Sequence, residues 1–190
     1  MSLKGTLTEK NLLKSFAGES QASNRYDYWA KIAKKEGFEQ IAEIFTETAS
    51  DERQHAKQFF KYLEGGMVDI TAAYPAGVLG TTEENLLAAA HGEHEEWAEL
   101  YPSFAKVARE EGLDKVAATF DAISQAEKAH EDRFKRLYEN VKAGRVFKRD
   151  EEVEWRCGNC GYVHTGLEPP EMCPACVHPR AHFRVREANY

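Results

Sequence analysis

The sequence lacks the features of a membrane protein or an exported protein. It contains no apolar run of the roughly 18 residues that a membrane-spanning helix requires. Its N-terminus has no hydrophobic segment of the kind that a signal peptide carries. A formal net charge of −7 disfavours nucleic acid as a partner, and cysteine is confined to the last 34 residues. We therefore expect a cytoplasmic protein that neither crosses a membrane nor binds nucleic acid.

A carboxylate–histidine pair occurs twice in the chain at the same spacing. Glu52 and His55 form one E-x-x-H motif, and Glu127 and His130 form another. Residues three apart share one face of a helix, so each motif directs a carboxylate and an imidazole towards the same point. Such pairs, on two helices of a four-helix bundle, are typical ligands of a pair of metal ions.

A single glutamate precedes each motif by the length of a helical hairpin. Glu19 lies 33 residues before Glu52, and Glu93 lies 34 residues before Glu127. If the first hairpin turns at Gly37, its glutamates lie about 27 Å and 23 Å from the turn along antiparallel helices. The paired glutamates therefore lie at nearly the same depth, and all four carboxylates can occupy one layer. Two single glutamates complete the ligand set for two oxygen-activating metals.

The helical part of the chain is an internal duplication. Residues 6–143 have a helical pattern almost throughout, and capping boxes of the form T-x-x-E begin at Thr6 and Thr81. Residues 33–45 align with residues 108–120 at an offset of 75, which also superimposes the two E-x-x-H motifs.

The predicted fold is an all-α, ferritin-like four-helix bundle built from two duplicated hairpins. Gly37 and Gly112 fall where the hairpins turn. The segment 65–80 is long for a connection within a bundle, so we expect it to run from one end of the bundle to the other. We place the bundle at residues 1–145, a linker at 146–152 and a small C-terminal β/loop domain at 153–190.

The second copy contains one extra residue close to its first glutamate. Tyr26 and Tyr101 align at an offset of 75, whereas Glu19 and Glu93 align at an offset of 74. An extra residue within a helix is the signature of a π-bulge, and such bulges are frequent at functional sites. Glu96 lies in this window, so the second copy carries an additional carboxylate and the two halves are predicted to differ chemically.

The C-terminal domain carries two C-x-x-C motifs separated by 12 residues. In a chain with no export signal, this spacing favours a metal site over disulfides. Four thiolates indicate a tetrahedral site for zinc or a single iron, and spacing does not choose between them. The forms C-x-x-C-G-Y and C-P-x-C resemble rubredoxin, although the gap is shorter than in free-standing rubredoxins. The predicted ligands are Cys157, Cys160, Cys173 and Cys176.

The combination of these motifs closely resembles the rubrerythrin family over essentially the whole chain. The resemblance rests on residues 17–22, on both E-x-x-H motifs, on Glu93-x-x-Glu96 and on both cysteine motifs. It implies a peroxidase that reduces hydrogen peroxide to water and protects against oxidative stress, with two irons in the bundle and one iron in the four-cysteine site. It also implies a head-to-tail homodimer in which the four-cysteine iron of one subunit reduces the di-iron centre of the other. The expected electron donor is a protein such as rubredoxin or an NADH-linked reductase.

The resemblance also implies a role for each bundle ligand. Glu52 and Glu127 are expected to bridge the two irons. Glu19 is expected to be terminal on one iron, and Glu93 with His130 on the other.

One iron is expected to exchange a ligand when it is oxidised. Glu96 would bind in the oxidised state and His55 in the reduced state. Ferric iron is harder than ferrous iron and favours an anionic oxygen ligand. Tyr26 and Tyr101 are expected to act beside the ligands as donors that orient carboxylates.

Two other functions are compatible with the same residues. The bundle could be a ferroxidase that handles iron as ferritin-like proteins do, but a fused electron-transfer domain would have no role there. Alternatively, the chain is not an enzyme, and a zinc-bound tail serves as an assembly or binding module. Iron or zinc in the four-cysteine site distinguishes the last alternative from electron transfer.

Overall fold

Four long helical segments form the N-terminal part of the chain. In the computed structural model, which describes residues 2–188, three of them are continuous helices. The fourth is divided by a short π-helical turn at Glu96–Leu100. The α-helices are α1 (Leu7–Lys35), α2 (Glu39–Phe60), α3 (Thr82–Glu95), α4 (Tyr101–Glu110) and α5 (Asp114–Lys142). The predicted four-helix bundle is confirmed, with α3, the π-helical turn and α4 forming its third segment.

The helix ends follow the local sequence signals. Thr81 and Glu84 form a complete capping box, in which each side chain bonds to the other residue's backbone N–H. The Thr6 side chain accepts from the backbone N–H of Glu9, but the Glu9 carboxylate accepts from Gly5 rather than from Thr6. In the first capping box, the glutamate therefore bonds to the residue before the N-cap and not to the N-cap residue itself.

Glycine allows both hairpins to turn where the sequence predicts. Gly37 has a φ of +87° and Gly112 a φ of +73°, which is the left-handed region that glycine adopts without a steric penalty. Helix α2 starts two residues after the first glycine, and α5 starts two residues after the second. The two hairpins are thus closed in the same way.

The connection between the hairpins runs the length of α1, as predicted. Near its start, the Glu64 carboxylate accepts from the backbone N–H of Leu3, 2.9 Å away, before α1 begins. At its end, the backbone N–H of Thr82 donates to Glu36 at the other end of α1, at 3.0 Å. Between these points, the hydroxyl of Tyr74 donates to the backbone carbonyl of Lys14 at 2.7 Å.

Two apolar clusters lie on either side of the glutamate layer. One cluster is built around buried aromatic side chains towards the hairpin-turn end of α1: Tyr26, Trp29, Phe45 and Phe134. The other lies towards the start of α1 and contains Leu12, Phe59, Tyr101 and Phe120. The four paired glutamates and His130 are therefore buried between two layers of core rather than at the surface.

The C-terminal domain is a small antiparallel sheet. Its strands are β1 (Val153–Cys157), β2 (Val163–Gly166) and β3 (Phe183–Val185), in the order β2-β1-β3. Trp155 is fully buried, and its indole N–H donates to the carbonyl of Gly166 at 3.0 Å. The last two residues of the predicted domain, Asn189 and Tyr190, lie outside the described residues.

The C-terminal domain contacts the bundle near the start of α2. Arg184 pairs with Glu43, and the His182 ring lies 3.9 Å from the Glu39 carboxylate. Glu39 and Glu52 are separated by about 20 Å along the helix axis. Within one chain, this domain therefore sits far from the glutamate layer. None of the helices within residues 2–188 combines the length and the apolar character that a bilayer crossing requires.

Candidate metal centres

The predicted π-bulge is confirmed at Glu96–Leu100. The wider turn absorbs one residue, so that Glu93 before it and Tyr101 after it are both buried in the bundle. A π-helical turn disturbs the regular backbone ladder. Here the carbonyl of Trp97 accepts from the hydroxyl of Ser124 on α5, at 3.0 Å.

Four glutamates and two histidines converge between the apolar clusters in two groups. Within each group, the ligand atoms all lie within 4.8 Å of one another. Two glutamates, Glu52 and Glu127, belong to both groups, which is the arrangement of carboxylates that bridge two metals. The first group is Glu19, Glu52, His55 and Glu127. The second group is Glu52, Glu93, Glu127 and His130.

The electrostatics of this layer favour bound cations. The four glutamates expose 1% of their surface or less. Burial, together with the charge of Glu52, raises the pKa of Glu93 to about 8, and burial and Glu127 hold the pKa of Glu19 well above its ordinary value. Although burial opposes protonation of His55, the carboxylates of Glu127 and Glu52, 2.8 Å and 3.0 Å from its Nδ1 atom, raise the pKa of its ring to about 10. Carboxylates buried this closely need positive charge between them.

Two tyrosines leave one oxygen free on each single glutamate. Tyr101 donates to Oε1 of Glu19, and Tyr26 donates to Oε1 of Glu93. Each tyrosine therefore serves the glutamate of the other hairpin. The Oε2 atom of each glutamate is buried without a hydrogen-bond partner.

The other ligand residues also carry buried atoms without a hydrogen-bond partner. They are both oxygens of Glu127, Oε1 of Glu52 and Nδ1 of His130. The His130 Nδ1 atom lies 2.9 Å from a Glu127 oxygen and 3.2 Å from a Glu52 oxygen, without hydrogen-bonding geometry. Buried polar atoms are nearly always paired in proteins. These residues therefore fit two metal ions, which oxygen and imidazole donors would bind directly.

The two histidines differ in what lies behind their rings. The Nε2 atom of His130 lies 3.5 Å from the carboxylate of Asp51, on the side away from the ligand group. At an offset of 75, the equivalent of Asp51 is Ala126. The motif reasoning missed Asp51, although a carboxylate just before one E-x-x-H motif and not before the other was visible in the sequence.

Glu96 lies outside both ligand groups. It is half-buried, and burial together with Glu93 and Glu127 raises the pKa of its carboxyl well above the ordinary value. Its carboxylate lies near Gly18, where an added Cβ atom would be 3.8 Å from Oε1. The structure thus places His55 with the ligands and Glu96 beside them.

A buried carboxylate holds the π-helical turn against α5. Glu131 accepts from the indole N–H of Trp97 at 2.5 Å, and the His94 ring lies 3.0 Å from its other oxygen. Lys135 completes the cluster. Sequence reasoning also missed this contact, because nothing in the spacing of Glu131 distinguishes it from an exposed glutamate.

The four cysteines form a separate tetrahedral site. Their sulfur atoms lie 3.8 Å apart between Cys157 and Cys176 and 3.6 Å apart between Cys160 and Cys173. Four sulfurs at about 2.3 Å from a central metal are separated by about 3.8 Å. Although burial opposes it, the backbone N–H of His178 and the neighbouring thiols lower the pKa of Cys176 to about 6, which favours a thiolate ligand.

A bundle with a dinuclear glutamate–histidine site, followed by a four-cysteine domain, defines a ferritin-like di-iron protein fused to a rubredoxin-like domain. Residues 10–138 match the family model described as rubrerythrin, and residues 155–184 match the model described as the rubredoxin-like domain of rubrerythrin. The chain belongs to the rubrerythrin family, and its residues fit the di-iron and four-cysteine sites of that family.

The similarity extends over whole chains. Rubrerythrin from Nitratidesulfovibrio vulgaris is 57% identical over 189 residues, covering 100% of this chain and 99% of the relative. Rubrerythrin from Porphyromonas gingivalis is 56% identical, covering 100% and 94%. The structure of fully reduced, all-ferrous nigerythrin matches with a TM-score of 0.63 at 32% identity, covering 97% of this chain and 92% of that one.

Proposed function

We propose that this protein is a hydrogen peroxide reductase that draws electrons through its four-cysteine site. The observation that supports this best is that one chain contains both kinds of site. Two metal-binding groups in the bundle share Glu52 and Glu127, and a separate tetrahedral sulfur site lies in the C-terminal domain. Reduction of one peroxide to two waters takes two electrons and two protons. Irons held by the two bundle groups would supply both electrons together, and an iron held by the four cysteines would replace them one at a time.

The protein's own residues hold this centre in place and shield it from both ends of the bundle. The two shared glutamates fix the metals next to one another. Tyr26 and Tyr101 restrain the single glutamates, so that the unpaired oxygen of each would be available to a metal. The apolar clusters on both sides limit the access of water.

We propose that Glu96 and His55 exchange as ligands during turnover. We call the four glutamates of the two groups, with His55 and His130, the ligand layer. Glu96 lies next to this layer but outside it, whereas His55 lies within it. The difference between the histidines supports this assignment. Asp51 stands behind His130, while among the described residues the only carboxylates paired with His55 are Glu52 and Glu127.

We propose a head-to-tail homodimer in the cytoplasm. The C-terminal domain contacts its own bundle about 20 Å along α2 from the ligand layer. A partner subunit placed head to tail would bring its own four-cysteine site towards the ligand layer, which the C-terminal domain of the same chain does not approach. The donor to the four-cysteine site is proposed to be a rubredoxin or an NADH-linked reductase.

Anaerobic stopped-flow absorbance tests the function. The iron-loaded, fully reduced protein is mixed with hydrogen peroxide and, separately, with oxygen. We expect both the di-iron and the four-cysteine chromophores to turn ferric with peroxide, and much more slowly with oxygen. Preferential reaction with oxygen would indicate a ferroxidase. A tail that stays colourless and contains zinc would indicate a binding module.

A further inference from the structure

A cavity of about 310 Å³ lies between α1, the π-helical turn and the connection between the hairpins. Its inner end is lined by Glu96 and Tyr101, and Tyr101 in turn donates to Glu19. Its outer wall includes the exposed residues Ala73 and Tyr74 of the connection. The cavity therefore leads from the surface to the edge of the ligand layer.

The cavity is much larger than hydrogen peroxide requires. A site for one water needs about 10–15 Å³, whereas sites for small organic molecules occupy about 300–1,000 Å³. A molecule of two oxygen atoms would leave most of this space filled with water. The volume suits a compact organic molecule instead.

The lining of the cavity is divided between apolar and polar groups. The connection and the third helical segment contribute the apolar side chains of the lining, Ala73, Tyr74, Pro75, Leu100 and Phe104, and polar residues such as Lys14 and Gln21 line the rest. Arg25 also lines the cavity, and its Nε atom is buried without a hydrogen-bond partner. A buried donor without an acceptor is uncommon in proteins and is available to a polar ligand. The cavity thus offers apolar side chains for an organic group and a polar end at Glu96.

We propose that this cavity binds compact organic hydroperoxides and that the protein reduces them as it reduces hydrogen peroxide. The hydroperoxide group lies at the Glu96 end, and the organic group packs against the apolar side chains. The O–O bond of ROOH breaks, two electrons and two protons are taken up, and the products are the alcohol ROH and water. The inference rests on the proposed function, because the electrons are those that the reduced metal centre and its donor supply.

The test compares cumene hydroperoxide with hydrogen peroxide as substrates of the iron-loaded protein. The variant Ala73→Trp fills the apolar part of the cavity from an exposed, irregular segment, so the helices are not disturbed. Ala76→Trp places the same side chain on the same segment away from the cavity. We expect Ala73→Trp to lower the ratio of kcat/KM for cumene hydroperoxide to that for hydrogen peroxide by about tenfold or more. Ala76→Trp should leave that ratio at the wild-type value.

A binding measurement separates occupancy of the cavity from turnover. Cumyl alcohol, the unreactive product, is added to the oxidised protein and observed by saturation-transfer NMR. We expect transfer to its aromatic protons in the wild type and in Ala76→Trp, and loss of the signal in Ala73→Trp.

The outcomes distinguish this inference from the proposed function. Turnover of hydrogen peroxide without turnover of cumene hydroperoxide would overturn the inference and leave the proposed function intact. An unchanged substrate ratio in Ala73→Trp would also overturn it, because the organic substrate would then react without using the cavity. Turnover of neither substrate would contradict the proposed function itself.

Discussion

At the ligand layer, two tyrosine hydroxyls each occupy one oxygen of a glutamate on the opposite hairpin. Burial raises the pKa of both Tyr26 and Tyr101 well above that of free tyrosine, so both phenols stay protonated and donate. Each bond also decides which oxygen of the glutamate remains for a metal. The spacing of the sequence predicted that these tyrosines act beside the ligands. It did not predict which glutamate each one contacts, because that depends on the rotation of helices against one another.

Removing one of these hydroxyls should destabilise the protein. Tyr101→Phe keeps the ring and leaves Glu19 without its donor. A hydrogen bond to a charged group contributes about 1.5–3 kcal/mol, so we expect the midpoint of thermal unfolding of the iron-loaded protein to fall. Tyr62→Phe is the control, since Tyr62 bonds to the neutral hydroxyl of Thr119 in a half-buried position. Equal losses in the two variants would contradict the role assigned to Tyr101.

The carboxylate behind His130 should strengthen metal binding. Asp51→Asn removes the charge that orients the ring, and loss of such outer partners typically lowers metal affinity about 10–100-fold. We expect the lower end of this range, because the Asp51 contact is 3.5 Å long. Competition with a chelator measures the affinity. Asp132→Asn, an exposed carboxylate two residues after His130, should leave the affinity unchanged.

At the scale of elements, the hairpin turns and the π-helical turn come from features that are local in the sequence. Glycine at positions 37 and 112, the capping threonines and the one-residue mismatch between the copies were sufficient to place them. The glycines and the capping threonines could be predicted because each depends on a few neighbouring residues, and the mismatch is visible once the two copies are aligned. The path of the connection along α1 and the cavity beneath it could not be predicted in detail, since they arise only when distant segments pack together.

The backbone conformation of a glycine should decide whether its replacement by alanine raises or lowers the free energy of unfolding. Gly37→Ala forces a Cβ atom into the left-handed region and should lower the free energy of unfolding by about 1–2 kcal/mol. Gly92 lies within α3 and an added Cβ meets nothing within 4 Å, so Gly92→Ala should raise it by about 0.5–1 kcal/mol. Chemical denaturation of both variants checks the two signs. A stabilised Gly37→Ala protein would show that the turn does not need glycine.

At the scale of the whole molecule, one chain holds two metal sites that are separated along the bundle. The motifs predicted both sites from the sequence, because ligand spacing on a helix and within a C-x-x-C turn is local. The position of the C-terminal domain against the start of α2 was not predicted. It depends on surface ion pairs such as that between Arg184 and Glu43, which have no signature in the sequence.

Mixing two inactive variants should restore activity if electrons pass between subunits. Cys157→Ser disables the four-cysteine site, and Glu127→Ala disables the bundle site. Each variant alone should lack reductant-driven peroxidase activity. After random reassociation, half of the dimers are mixed and each has one complete pair of sites, so we expect about a quarter of wild-type activity. Mixed dimers that form but remain inactive would rule out transfer between subunits.

The course of the connection along α1 has a consequence for symmetry. Because it returns the chain to the far end, α3 runs opposite to α1 and α5 runs opposite to α2. The two hairpins are then related by a pseudo-two-fold axis perpendicular to the bundle, which exchanges the two metal positions and the two crossed tyrosines. Under exact symmetry, the two metals would be equivalent and either could react first. The extra residue of the π-helical turn and the aspartate behind one histidine remove that equivalence. Which of the two metals reacts first is therefore set by the residues of the chain itself.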